Sequence, residues 1–273
     1  MSSFNYKGKS VHFEIDGEGF PLIILNGIMM STKSWQPFIP TLKEHFKVIR
    51  VDFFDQGTSD LLVGETYTQR IQVELVKALL DFLNIDKINV VGISYGGEVA
   101  LLFAIQHANI VSRLLLFNTA ANTSPWLKEI GRSWIATGKT RDGAHYYKTT
   151  IPVIYSPHFY EERLDWMKKR EQVLIPIFSN ATFLDQMERL TLSAESYDVR
   201  DDLHKIICPT LIISAEEDYL TPLPNQDYLQ SHIKDSLWMK IPFAGHASMY
   251  EKPLLFTTLI TGFFGVKDTT YIL

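Results

Sequence analysis

The chain has 273 residues, 46% of them hydrophobic and 21% charged, enough for a large buried core in one α/β domain carrying an insertion, or for two small domains. A net charge of -5 without a basic stripe speaks against nucleic acid as a partner, and no apolar run approaches the ~20 residues that span a bilayer. Cys208 is the only cysteine, which excludes an intramolecular disulfide and a cysteine metal site; with no apolar signal core between Met1 and Lys9, a cytoplasmic protein is expected.

Val11 to Ile15 and Pro21 to Leu25 read as strands, and Asp16-Gly17-Glu18-Gly19 between them as a hairpin turn. Trp35 to Phe46 reads as a helix with Pro37 in its first turn, and Lys47 to Phe53 as a strand. Ile71, Leu75, Leu79 and Phe82 have helical spacing within Tyr67 to Leu83. Ile88 to Ile93 is a short apolar run suited to a strand buried on both faces. Tyr95 to His107 has the small, apolar residues of a buried helix, and Arg113 to Asn118 is another buried strand. Strands alternating with helices predict a mostly parallel sheet.

That rhythm stops after Thr119. Ala120 to Leu203 has no buried-strand pattern but many aromatics, among them Trp126, Trp134, Tyr146 and Trp166. It also has helically spaced charges such as Lys168-Lys169-Arg170, so a mostly helical insertion is expected. Strands return at Thr210 to Ser214 and Leu237 to Ile241, before a last amphipathic helix from Pro253 to Phe264. This divides the chain into a core, 1–119 with 204–273, and an insertion, 120–203. Nothing in the pattern specifies an oligomeric state.

Gly92-Ile93-Ser94-Tyr95-Gly96-Gly97 follows a predicted strand and opens a predicted helix. In that context G-x-S-x-G makes a nucleophile elbow: a sharp turn lifts the serine oxygen above the sheet, and the neighbouring chain leaves no room for flanking side chains. A serine hydroxyl needs a base. Of the eight histidines, His246 in Ala244-Gly245-His246-Ala247 has the best address, at the carboxyl end of the last predicted strand. The orienting acid falls in Ser214-Ala215-Glu216-Glu217-Asp218, another strand end. Asp218 is favoured over its neighbour Glu217 because the loop then turns at Thr221-Pro222; on local evidence alone, a solvated acidic loop is the better reading of the run. The chain order Ser94, Asp218, His246, with the acid between nucleophile and base, favours a catalytic acid in this run over the solvated loop. An oxyanion hole is expected from the N–H of Tyr95 and that of Ile28, in the loop Asn26-Gly27-Ile28-Met29.

Over nearly its full length the sequence resembles the α/β-hydrolase superfamily. The matching pieces are Asn26-Gly27, the segment from Asp52 to Asp60, the elbow at Ser94, Cys208-Pro209-Thr210 with Asp218 and Thr221-Pro222, and Gly245-His246 with Glu251-Lys252-Pro253. The spacing is similar to the branch with enol-lactonases, carboxylesterases, cofactor-free perhydrolases and C–C hydrolases. The resemblance implies an α/β-hydrolase fold with an eight-stranded sheet and 120–203 as a helical cap over the site. Two positions depart from the pattern. Asn26 stands where histidine is usual, and Asp55 stands where glycine is common, which suggests pairing with a basic group or capping of a turn.

The expected activity is hydrolysis of a small or medium uncharged carboxylic ester or lactone through an acyl-enzyme, with no metal or organic cofactor. C–C bond hydrolysis and perhydrolysis are the alternatives within serine chemistry, and a ligand receptor on the same fold is the non-enzymatic one. Because the catalytic motifs hold no Lys or Arg, neutral apolar acyl groups are expected to be preferred. Arg132, Lys139 and Arg141 are the cations considered able to reach inward.

Overall fold

The computed structural model describes residues 2–266. Eight strands form one sheet: β1 Ser2–Tyr6, β2 Lys9–Asp16, β3 Pro21–Leu25, β4 Lys47–Val51, β5 Ile88–Ile93, β6 Val111–Phe117, β7 Thr210–Ala215 and β8 Ser236–Ile241. Their spatial order is β1-β2-β4-β3-β5-β6-β7-β8. The β1–β2 and β2–β4 pairs are antiparallel and the others parallel. Every residue of β5 and β7 is buried, as expected where helices cover both faces of a parallel sheet.

Helices α1 Ile39–Leu42, α2 Arg70–Phe82, α3 Tyr95–Gln106, α4 Pro125–Lys139, α5 Gly143–Ile154, α6 Pro157–Glu162, α7 Leu164–Phe178, α8 Ala181–Ser193, α9 Leu223–His232, α10 Ser248–Glu251 and α11 Pro253–Gly265 complete the elements used below. Among the described residues no helix is long and apolar enough to cross a membrane.

Chain order in the sheet reverses at β3, which lies between β4 and β5. The loops after β3 and β5 therefore leave adjacent strand ends, Leu25 being paired with Gly92. That is the switch point at which open α/β sheets form a crevice.

Two expectations fail locally. The strands β2 and β3 do not form a hairpin: β4 lies between them. β3 buries both faces, so it needs a neighbour on each side, whereas the partly exposed β2 takes an outer antiparallel place. Trp35 to Phe46 is not one helix but a 3₁₀ turn at Thr32–Trp35 followed by the four-residue α1. Pro37 and Pro40 both lack an N–H, and a proline ring clashes with the carbonyl four residues earlier, so the segment breaks and restarts. The strand β1 had no predicted counterpart.

Between β6 and β7 the chain is helical from α4 to α8. Side-chain oxygens of Ser124, Asp142, Ser156 and Asn180 accept N–H groups at the starts of α4, α5, α6 and α8. A buried ion pair ties these helices to the sheet. Arg189 of α8 donates to Asp55 Oδ1 from Nε at 3.0 Å and from its terminal nitrogen at 2.5 Å. Tyr67 Oη donates to Asp55 Oδ2 at 2.7 Å, and Leu62 N to Oδ1 at 3.2 Å. Asp55 is completely buried, so it both pairs with a base and anchors a turn. Arg189→Met leaves that carboxylate uncompensated and is expected to destabilise the fold by about 3 kcal/mol. Urea unfolding measures this; a loss under about 1 kcal/mol would mean the pair is dispensable.

Candidate active site

Ser94 sits between β5 and α3 with φ 54° and ψ -120°, a conformation that costs energy for a side chain bearing Cβ. The surroundings hold it there. Ser94 N donates to Phe117 O at 3.0 Å, and Ser94 O accepts Thr119 Oγ1 at 2.9 Å and Gly97 N at 2.8 Å. A methyl group on Gly96 would overlap the carbonyl of Leu25, and one on Gly92 would lie 2.6 Å from Gly96 O. The glycines are thus required by close chain approach.

A continuous hydrogen-bonded line runs from this serine. His246 Nε2 is 2.8 Å from Ser94 Oγ, and His246 Nδ1 is 2.8 Å from Asp218 Oδ2. All three side chains belong to loops at the carboxyl ends of parallel strands, β5, β7 and β8. Asp218 is buried and accepts further bonds from Leu220 N, Thr221 N, Thr221 Oγ1 and Asn118 Nδ2, between 2.8 and 3.0 Å. Burial favours its neutral form, but the facing His246 and these donors outweigh it and hold the carboxyl below the usual range. Glu217 faces elsewhere: its Oε2 accepts His158 N at 3.4 Å.

The loop after β3 is pinned by its polar groups. Asn26 Oδ1 accepts Trp35 Nε1 at 2.6 Å, while its Nδ2 donates to Val51 O at 2.7 Å and Gln56 Oε1 at 3.1 Å. Gln56 Nε2 donates to Gly27 O at 3.0 Å and Ile28 O at 3.3 Å. Both carbonyls are engaged with Gln56. Asn26 thus does the local bonding expected of it in place of histidine. Tyr95 opens α3, so its N–H has no partner one turn back. Ile28 and Tyr95 both line the cavity that contains Ser94 and His246.

The chain from 21 to 253 matches the family model of the α/β hydrolase fold. The chain belongs to the α/β-hydrolase family. The crystal structure of MGS-M2, an α/β-hydrolase enzyme from a Medee basin deep-sea metagenome library, is similar to it with 51% identity, TM-score 0.97 and full coverage of both chains. It is also similar to 3-oxoadipate enol-lactonase 1 of Acinetobacter baylyi, 28% identical over 95% of this chain and 94% of that one. A putative carbamate hydrolase RutD of Yersinia enterocolitica is 26% identical over 87% of this chain and 86% of its own. With relatives named as hydrolases over most of its length, the protein is an α/β-hydrolase enzyme.

Around the line of three, this α/β-hydrolase carries residues to which the sequence assigns no role. Asn118 links Asp218 to Ser248, whose Oγ donates to Asn118 Oδ1 at 2.9 Å. It directly follows β6 and so has the strand-end address that pointed to Asp218 and His246. Glu251 accepts Ser156 N at 3.0 Å, Ser156 Oγ at 2.6 Å and Gly245 N at 3.0 Å, joining the α5–α6 corner to the loop that carries His246.

Glu98, in the first turn of α3, lines the cavity and accepts a short hydrogen bond from Gln69 Nε2. Burial pushes its carboxyl up to about 8, against the opposing pull of Gln69. The folded pKa exceeds the unfolded one, so protonation favours the native state. The stability this group contributes is full below its ordinary 4.5 and is lost as pH rises through about 8. Relative to Glu98→Gln, the wild type is expected to lose stability steadily across that window and to run parallel above it. Thermal melts of both proteins from about pH 4 to about pH 9 check this; parallel curves throughout would contradict it.

Proposed function

We propose that this enzyme is a serine hydrolase of small or medium carboxylic esters or lactones, in which Ser94 is the nucleophile, His246 the base and Asp218 the residue that orients the base. The observation that carries the reading is the unbroken Ser94–His246–Asp218 line, with both imidazole contacts at 2.8 Å. Ser94 Oγ attacks the acyl carbon while His246 Nε2 takes its proton. The N–H groups of Tyr95 and Ile28 face the oxyanion, helped by the positive end of α3. Collapse of the tetrahedral intermediate breaks the bond to the leaving oxygen, which takes the proton from His246. Water, deprotonated by the same imidazole, then hydrolyses the acyl-enzyme.

The helices of 120–203 act as a cap in this reading, over a core of 1–119 and 204–273. Its support is that the cavity, about 190 Å³, is walled by residues of both parts: Ile28, Ser94 and His246 below, Leu127, Ile151 and Leu174 above. The enol-lactonase relative adds support for lactone cleavage.

A fluorophosphonate probe is expected to label the native enzyme and not Ser94→Ala, with unchanged circular dichroism; labelling of the variant would refute the nucleophile. Asp218→Asn is expected to lower kcat about 10⁴-fold, since the amide no longer holds the imidazole in its working tautomer. Glu217→Gln, altering a carboxylate that does not face His246, is expected to change kcat less than about twofold. Steady-state kinetics on one activated ester ranks the two, and the opposite ranking would exclude Asp218.

A further inference from the structure

The arginines of the helical segment divide sharply by partner. Arg132 faces Glu129 at 2.5 Å and Glu195 at 3.4 Å, Arg141 faces Asp185 at 2.5 Å, and Arg163 lies 3.9 Å from Asp165. Arg189 meets Asp55 at 2.5 Å and Arg200 meets Asp198 at 2.6 Å. Arg170 alone among them has no carboxylate within 4.0 Å among the described residues. It is half-buried on α7 and lines the same cavity as Ser94 and His246. Its Nε is buried without a hydrogen-bond acceptor. Its guanidinium lies 5.2 Å from the ring centre of Tyr250 and 5.8 Å from that of Trp166, which fixes the plane by cation–π contact and leaves the charge unneutralised. A cation withdrawn from water into a largely apolar cavity is costly unless an anion meets it.

The other charges of the cavity do not cancel it. Glu195 is engaged with Arg132, and Glu98 is held largely neutral below about pH 8 by burial. Lys139, one of the cations the sequence offers for an inward role, pairs with Glu188 at 3.1 Å. Lys128 and Arg132 also line the cavity, Arg132 being paired with Glu129 and Glu195; Arg170 is the cation there whose Nε is buried without an acceptor.

The geometry points to Arg170 as an anion subsite of the catalytic cavity, so that the substrate is an ester or lactone carrying a carboxylate a few carbons from the scissile carbonyl. This rests on the serine-hydrolase reading and replaces the sequence-based preference for neutral acyl groups. The guanidinium binds the carboxylate as a fork, and the aromatic side chains around it keep water from screening the pair.

The test uses the 4-nitrophenyl monoesters of succinate, glutarate and adipate, each beside an isostere in which an isopropyl group replaces the free carboxylate. The wild type is expected to prefer at least one monoester over its isostere in kcat/KM, through a lower KM. Arg170→Met is expected to lower that ratio roughly tenfold to hundredfold, and Arg170→Lys to lower it less. A general loss of structure lowers both substrates alike and leaves the ratio where it was. Glutarate is also expected to inhibit the wild type competitively. A wild type that prefers every isostere, or an Arg170→Met variant with an unchanged ratio, overturns the subsite while leaving the nucleophile intact. Hydrolysis by Ser94→Ala equal to wild type would instead overturn the serine reading beneath it.

Discussion

The turn at Ser94 is strained in isolation, and the sheet makes it stable. With β3 and β5 paired side by side, the ends of both strands stop at one level, and α3 must leave β5 within van der Waals reach of Leu25. Bonds from Phe117 and Thr119, on the neighbouring strand end, then close the other side. A positive φ at a serine costs on the order of 1–3 kcal/mol. Here it raises the hydroxyl toward His246 at a helix N-terminus and leaves the Tyr95 N–H unused by the helix. Most of the site's geometry follows from this single crowded junction.

Around that junction polar groups are spent on fixing loops. Gln56 engages the carbonyls after β3, and Asn118, Thr221 and Leu220 saturate Asp218. Asp218 therefore stays ionised although it is buried, a condition for holding an imidazolium. Glu98, in the first turn of α3 with Gln69 as its donor, goes the other way. Two buried acids in one protein thus differ in charge because one is surrounded by N–H and O–H groups and the other chiefly by apolar side chains.

The fold class and the three aligned residues were legible because each rests on local rules: apolar runs for buried strands, glycines for a tight turn, and strand carboxyl ends for reactive groups. What escaped was non-local. Asp55 was seen as an oddity, but its partner Arg189 lies 134 residues further on. The pairing of β3 with β4 and β5 rather than β2 depends on which faces the rest of the chain covers. Arg170 stands within Lys168-Lys169-Arg170, whose spacing marks a helix without saying which of the three side chains turns inward. Yet Trp166, Arg170, Leu174 and Phe178 recur every fourth residue, one helical stripe, and three of its four members are apolar. The periodicity that marks cores also marks this cation.

Glu251 has a mechanical consequence. One carboxylate holds both the α5–α6 corner, through Ser156, and the loop of His246, through Gly245. Those two parts are therefore not independent bodies: lifting the helices at this corner would pull on the peptide next to the imidazole and spoil a 2.8 Å contact. Under the proposed mechanism, opening at this corner would cost the Glu251 bonds and disturb the His246 loop, so the way into the cavity is expected along the rim away from it.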